Sequence, residues 1–498
     1  MTPARGPAHW PAAAQLLLAC AAGGVSVLAF APFGLGLVAL PGLALLFHLW
    51  RYPARRGLNA WTGYAFGLGL MGFGVFWIRI SIAQFGGVPL ALAVAITVLF
   101  VLAMAGFFAL AGWLSGRLRP GSDVVWLTLV LPALWTLVEW LRGWLFTGFP
   151  WLSFGYSQID LPLAGYGPVL GVYGIGLLLA VSAGILSQSP RPLPVAILLA
   201  IWAGGAGLQQ IDWTQPAAAP IRVSLLQGNI PQDQKWRRSM RGPSLQLYLD
   251  MTASVPDSRI VIWPETAVPA FATEVETSLL APLDALLREQ GRDLLLGIVD
   301  GSESGDYYNA MLSLGVSGRD RYYKRHLVPF GEYLPFDAWT RPLLDFLQIP
   351  MSNFSPGGDG RPLLTLAGQP VGVDICYEDA YGTEVARALP EATLLVNASN
   401  DAWFGDSLAP HQHLEIARMR ALETGRYLLR ATNTGVSAII DARGQLRGVS
   451  PQFERAILSD DVVPLRGTTP FVLWGNVAVV LLAALMLLPA LRRQRAGA

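Results

Sequence analysis

Three short stretches of the sequence each deliver one ionisable group out of an apolar run into a turn. In "IVIWPETAVP" (260–269), Glu265 follows an Ile/Val run and is fenced by Pro264 and Pro269. A carboxylate in that position is costly unless it emerges at an edge or a cleft. "YYKRHLVPFGEYLP" (322–335) carries Lys324, His326 and Glu332 among aromatics and prolines. That composition suits neither a helix nor a central strand and reads as an ordered functional loop. "VGVDICYEDA" (371–380) ends a Val-rich run at Cys376, with Asp374, Glu378 and Asp379 beside it. The thiolate is the nucleophilic form of cysteine, and neighbouring carboxylates oppose it.

Acyl transfer through cysteine needs a base for the thiol proton and a fixed cation for the thiolate and the oxyanion. A buried Glu265 suits the first task and Lys324 the second, with a backbone N–H just after Cys376 completing an oxyanion hole. The acids beside Cys376 are tolerable if Lys324 sits close, or if Glu378 and Asp379 turn into their own hydrogen bonds. Taken singly, Cys376 reads first as a buried structural residue and Lys324 first as a surface charge, while Glu265 reads equally as a turn residue. Their order and shared form favour chemistry.

Only two of the 35 Lys and Arg residues are lysines, Lys235 and Lys324. A compact ammonium and a planar guanidinium are not interchangeable, so the surviving lysines are informative. His326, His411 and His413 invite a base or a metal site. His411 and His413 are two apart and do not share a helix face. No metal-ligand cluster and no cofactor is expected, and His326 reads as a loop hydrogen-bonding residue. Cys20 and Cys376 do not make a disulfide framework. A net charge of +1 gives no reason to expect nucleic acid as a partner.

These stretches need elements to hold them, and the composition says where to look. With 53% hydrophobic and 14% charged residues and a mean hydropathy of +0.43, the chain reads as a membrane protein. A span needs about 20 mostly apolar residues. Eight candidates lie at about 11–30, 33–50, 58–78, 88–115, 124–141, 164–187, 193–211 and 470–491. "LAFAPF" (28–33) looks like a cleavage site, but the next span follows directly, so the first span reads as a retained anchor. Arginines concentrate in "RYPARRG" (51–57), "SGRLRPG" (115–121), "SQSPRPLP" (187–194) and "LRRQRAGA" (491–498). All four fall on one side if the N-terminus is cytoplasmic. Both termini are then inside, and the segment after 212 is outside. Glu139 and Arg142, near the outer end of the fifth span, read as a functional intramembrane pair or an interfacial ion pair. A transporter with a ligand-binding outer domain is a competing class, but the spans hold few ionisable residues.

The block from about 218 to 466 reads as water-soluble and mixed α/β. Strand-like runs lie at 221–229, 258–265, 293–300, 371–377, 392–399 and 426–441. Helix-like runs lie at 244–255, 279–291, 379–389 and 412–425. Several strands are apolar on both faces, which predicts helices covering a buried sheet.

"WPETAVP", "YxKxHLVPFGEYxP" and "CYED", in that order, resemble the Glu-Lys-Cys triad of the nitrilase superfamily. With "HLVPFGE" and "NDAWFG" (400–405), essentially the whole chain resembles the bacterial apolipoprotein N-acyltransferase family. The resemblance implies an eight-span α-helical membrane domain plus a nitrilase-like αββα sandwich. It implies spans 1–7 in 1–215, a periplasmic catalytic domain in 216–468, and the last span with a cytoplasmic tail in 469–498. It implies Glu265 as general base, Lys324 as electrostatic stabiliser, Cys376 as nucleophile and Glu332 as the carboxylate orienting Lys324. Tyr377 and Glu378 would shape the loop after the nucleophile. Trp236, in "PQDQKWRR" (231–238), would face substrate, while Asn400, Asp401, Trp403 and Phe404 read as lining the cleft or as a buried turn. The implied reaction moves an acyl chain from phospholipid, through a Cys376 thioester, to the α-amine of a diacylglyceryl-cysteine at a lipoprotein N-terminus. The expected setting is the bacterial inner membrane, and the expected state a monomer. The alternative is a membrane-tethered nitrilase or amidase acting on a small C–N substrate.

Overall fold

The computed structural model describes residues 10–188, 191–301, 305–335, 341 and 353–496. The extreme termini, and Ser189 and Pro190 of the loop 187–194, lie outside the described residues. The chain forms two units: Met1–Ile78, Val94–Ile211 and Asn476–Ala498 in one, Arg79–Ala93 and Asp212–Gly475 in the other.

The first unit is helical. Among the described residues, four helices are long and apolar enough to cross a membrane: Ala12–Ala29, Leu90–Arg117, Asp123–Arg142 and Pro162–Leu186. The pair Leu58–Gly74 and Ile78–Phe85 makes a fifth if it is one bent span, and Gly36–Arg51, Pro192–Leu208 and Val477–Arg492 are apolar but shorter. By length and composition, then, four or five of the eight expected spans qualify. Helices Ala12–Ser26 and Leu58–Gly74 pack through glycine. A Cβ on Gly23 would stand 2.0 Å from the Phe66 carbonyl oxygen, and one on Gly69 2.0 Å from that of Cys20. Small residues permit this approach where lipid leaves close packing as a main attraction. Glu139 and Arg142 are both buried. Arg142 donates to the carbonyls of Phe149 and Trp151 (both 2.6 Å), and Glu139 accepts from the Phe154 N–H (2.9 Å). Together they tie the following loop to the helix end.

The second unit holds fifteen strands among the described residues: β1 (Thr214–Pro216), β2 (Ile221–Gln227), β3 (Ile260–Ile262), β4 (Val268–Phe271), β5 (Asp293–Gly301), β6 (Tyr307–Gly315), β7 (Asp320–Tyr323), β8 (Leu363–Leu366), β9 (Gln369–Ile375), β10 (Leu394–Ser399), β11 (Leu428–Thr432), β12 (Ala438–Ile440), β13 (Leu446–Val449), β14 (Ala456–Val462) and β15 (Leu465–Gly467). One sheet runs β14-β2-β3-β5-β6-β7, with β4 beside β5, and the other runs β13-β12-β11-β10-β9-β8. The inner strands β2-β3-β5 and β9-β10-β11 are parallel, and antiparallel strands flank them. Val223, Leu225 and Ile262 of one sheet meet Val373, Val396 and Leu429 of the other in one core. Tyr248, Met251, Leu283 and Leu287 cover the outside of the first sheet, and Leu414, Ala417 and Ala421 the outside of the second. Strands apolar on both faces thus end as the middle layers of a helix–sheet–sheet–helix sandwich.

Two expected elements differ. The run 426–441 is a hairpin, not one strand, because Asn433-Thr434-Gly435 turns the chain and β11 pairs antiparallel with β12. The run 379–389 contains only the short helix Gly382–Val385 between 3₁₀ turns. Its first acid, Asp379, and Glu378 just before it are buried, which spends the spacing that looked amphipathic.

Candidate active site

Glu265, Lys324 and Cys376 each follow the carboxyl end of a strand. That is where open α/β sheets expose the backbone and side chains to a ligand. Beyond β3 the chain turns at Pro264, and Thr266 sits at φ +46°. The turn rests on β5, where a Cβ on Gly297 would stand 2.4 Å from the Pro264 carbonyl oxygen and 2.7 Å from the Glu265 Cα. Gly297 therefore lets the turn carrying Glu265 lie directly on the sheet. Beyond β7, the Lys324 N–H bonds the Asn309 carbonyl (2.9 Å) before the chain leaves the ladder. Cys376 ends β9 at φ +54° and opens a 3₁₀ turn through Ala380. A non-glycine residue there is strained, and such strain clusters at functional sites.

The Lys324 ammonium is 1% exposed and lies 2.9 Å from Glu332 Oε1 and 3.7 Å from Glu265 Oε1. Burial works against this cation, but Glu332, Glu265 and Cys376 hold its pKa above the ordinary lysine value. Asn309 Nδ2 donates to Glu265 Oε1 (2.6 Å) and Glu332 Oε1 (3.2 Å), and the Val328 N–H donates to Glu332 Oε2 (2.8 Å). Glu332 is therefore held by its own loop while it holds Lys324. The other lysine converges on the same place. Lys235 Nζ donates to the Glu265 carbonyl (3.1 Å) and the Thr266 hydroxyl (2.6 Å). Burial lowers its pKa to about 8, against the pull of Glu265.

Burial pushes the Cys376 thiol well above the ordinary value, the Glu265 charge adds to this, and Lys324 only partly counters it. Lys324 thus pulls toward the thiolate, while burial and Glu265 oppose it. A thiol raised in this way needs a base to take its proton as bonding begins. The neighbouring acids do turn into bonds of their own. Glu378 is 2% exposed and accepts from the backbone N–H groups of Ile375 (2.7 Å), Arg325 (2.8 Å) and His326 (3.1 Å) and from the Tyr322 hydroxyl (2.9 Å). It pins the end of β9 to the loop after Lys324. Asp379 faces His413 (2.9 Å) and Arg430 (3.2 Å).

The remaining expected residues divide. Tyr377 packs edge-on against His326 and Tyr381. His326 bonds Glu384 (2.8 Å). Asn400 is buried and donates to Gln232 (2.8 Å), so it ties loops together. Trp236 and Trp403 are 52% and 42% exposed. The Trp403 ring meets Phe85 edge-on at 5.5 Å, and its carbonyl accepts from Ser81 Oγ (2.7 Å). The Phe404 ring stands 6.3 Å from His413. Sequence reasoning gave Asn309 and Lys235 no place in the site. A polar residue inside the apolar alternation of "YYNAMLSLG" (307–315), and the rarity of lysine, were the available signals. No group of His, Cys, Asp and Glu among the described residues is arranged to hold a metal.

Residues 22–185 match the Apolipoprotein N-acyltransferase N-terminal domain, and residues 222–467 match the Carbon-nitrogen hydrolase family. A protein of Methylococcus capsulatus named apolipoprotein N-acyltransferase is 50% identical over 488 residues, covering 96% of each chain. One of the same name from Nitrosomonas europaea is 47% identical over 482 residues, covering 95% of this chain and 96% of its own. Among solved structures, a mutant amidase from Nesterenkonia sp. AN1 is similar at a TM-score of 0.37 and 17% identity, over 50% of this chain and 92% of its own.

Proposed function

The chain belongs to the apolipoprotein N-acyltransferase family, and from that premise we propose that it carries an acyl group from a phospholipid to the N-terminal α-amine of a diacylglyceryl lipoprotein. The observation that carries the reading is the meeting of Glu265, Lys324 and Glu332 in one buried cluster whose charges act on the Cys376 thiol. As Cys376 Sγ attacks the ester carbonyl carbon, Glu265 takes the thiol proton. The oxyanion is met by the Lys324 ammonium and the backbone N–H that follows Cys376. The C–O bond breaks, the lysophospholipid alkoxide takes the proton from Glu265, and a thioester remains. The lipoprotein α-amine then attacks the thioester and gives its proton to Glu265. The C–S bond breaks, and the thiolate regains a proton. Glu332 and Asn309 orient Lys324 and Glu265. Water competes with the amine, so a site poor in water favours transfer over hydrolysis.

Both substrates keep their acyl chains in a bilayer, which fits a chain rich in long apolar helices. The arginine-bearing loops support a multi-pass protein of the bacterial inner membrane with eight spans, both termini cytoplasmic and the site on the periplasmic face. The domain limits 1–215, 216–468 and 469–498, the monomeric state, and the substrate-facing roles of Trp236, Trp403 and Phe404 belong to the same proposal. Intact-mass measurement after exposure to phospholipid vesicles tests the chemistry. The wild type is expected to gain one acyl mass that an added lipopeptide amine removes, and Cys376→Ser to gain none. An acyl mass on Cys376→Ser, or one that no amine removes, overturns it.

A further inference from the structure

Beside Cys376 lies a second group of buried charges that the proposed reaction does not use. Asp379, Asp401, His413 and Arg430 are all fully buried. They come from the 3₁₀ turn after β9, the turn after β10, the helix Ala409–Thr424 and β11. Arg430 spans the two carboxylates, with Nη1 3.2 Å from Asp379 Oδ2 and Nη2 2.9 Å from Asp401 Oδ2. The His413 ring stands between the same two. Its Nδ1 is 2.9 Å from Asp401 Oδ1, and its Nε2 is 2.9 Å from Asp379 Oδ1 and 3.2 Å from the Cys376 carbonyl oxygen.

Both ring nitrogens therefore lie against oxygens of carboxylates or a carbonyl. A neutral imidazole carries one N–H and would set a lone pair against an oxygen lone pair on one side. Two N–H groups satisfy both. The Cys376 carbonyl receives a second donor, Asn397 Nδ2 at 3.0 Å, and Arg430 holds Asn397 by its side-chain oxygen. We infer that His413 is a positioning residue held as an imidazolium, which with Asn397 anchors the Cys376 carbonyl and so maintains the strained backbone that presents the thiol.

The carbonyl is the handle by which φ +54° at Cys376 can be enforced, because both donors grip the peptide group that leaves the residue. Strain of this kind persists only where the surroundings over-determine it. The groups facing the ring are Asp379, Asp401 and Arg430, with the Phe404 ring beside it. Asp374 lies one step further, bonded to Asn397. Burial and Arg430 lower the pKa of His413, but Asp379 and Asp401 outweigh them and raise it to about 9. A group raised in the folded state contributes stability that is complete below its ordinary value of 6.5 and is lost as the pH passes 9.

This role rests on Cys376 as nucleophile, so the test reads charge and chemistry separately. Full-length enzyme carrying ¹⁵N-labelled histidine is placed in detergent micelles, and two-bond proton–nitrogen spectra are recorded across pH. One histidine is expected with both ring nitrogens protonated at neutral pH, titrating near 9 and missing from His413→Gln. Where that variant does not fold, His9→Gln, His48→Gln, His326→Gln and His411→Gln assign the signal by subtraction. A neutral imidazole at His413 at pH 7 overturns the inference. The second readout is single-turnover thioester formation from phospholipid vesicles. The wild type is expected to slow about tenfold per pH unit above 9, a fall that the slower His413→Gln lacks. An unchanged fall in His413→Gln overturns the positioning role. An intact imidazolium with no thioester at any pH overturns the proposed function and this role with it.

Discussion

Glu265, Glu332 and Lys324 set two negative charges against one positive, whereas Asp379, Asp401, His413 and Arg430 set two against two. The first set stays incomplete. Lys235 stands beside it but spends its bonds on a backbone carbonyl and a hydroxyl. Its carboxylate and ammonium push the Cys376 thiol pKa in opposite directions. The rear set pairs off its own charges and also bonds the Cys376 carbonyl, Asn397 and Ser399. Burying charge is expensive in both places. In the closed set the pairing offsets that cost and fixes geometry. In the open set the residual imbalance is the means of moving a proton. The same residue types serve scaffold or chemistry according to whether their partners are all inside the protein.

Substitutions on the two sides should separate these roles. Glu265→Gln keeps shape and removes the base, so thioester formation should fall about 10²- to 10⁴-fold with little change in thermal unfolding. Activity retained within tenfold would break the comparison. Arg430→Met leaves two buried carboxylates facing one imidazolium, and about 3–5 kcal/mol of stability should be lost, read by denaturant unfolding of the purified protein. A loss of activity with unfolding unchanged would place the rear set in the chemistry. Asn309→Ala should be the mildest, because it removes one donor from Glu265 and Glu332 and leaves Lys324 in place. A slowing that corresponds to about 1.5–3 kcal/mol is expected in thioester formation. A smaller effect than a surface substitution gives would mean that Lys324 alone orients both acids.

The front set was legible in the sequence because each member is announced by local grammar: an apolar run, a proline fence, then one charge. The rear set was not. His413 and His411 were weighed as metal ligands by spacing along the chain, which says nothing of Asp379 and Asp401 arriving from other strands. Arg430 lay inside a run taken for one long strand, so its position at the mouth of a hairpin was hidden. Strands apolar on both faces pointed to helices over a buried sheet, and the second sheet came only with the family resemblance; β6, β8 and β14 are among the strands that the pattern does not show. Their alternation is broken by polar residues such as Asn309 and Ser459, which find partners only in the folded state. The helical unit illustrates the converse. Composition announces apolar segments readily, while the bend after Gly74 and the shortness of Pro192–Leu208 depend on neighbours that composition does not contain.

The scarcity of lysine has a practical side. Lys235 and Lys324 are each 1% exposed, so the folded surface offers almost no side-chain amine. Succinimidyl dyes, amine cross-linkers and lysine-directed immobilisation have little to grip except the chain's own α-amine. Any side-chain adduct such reagents leave on these two positions reports that the pocket around Glu265 has opened.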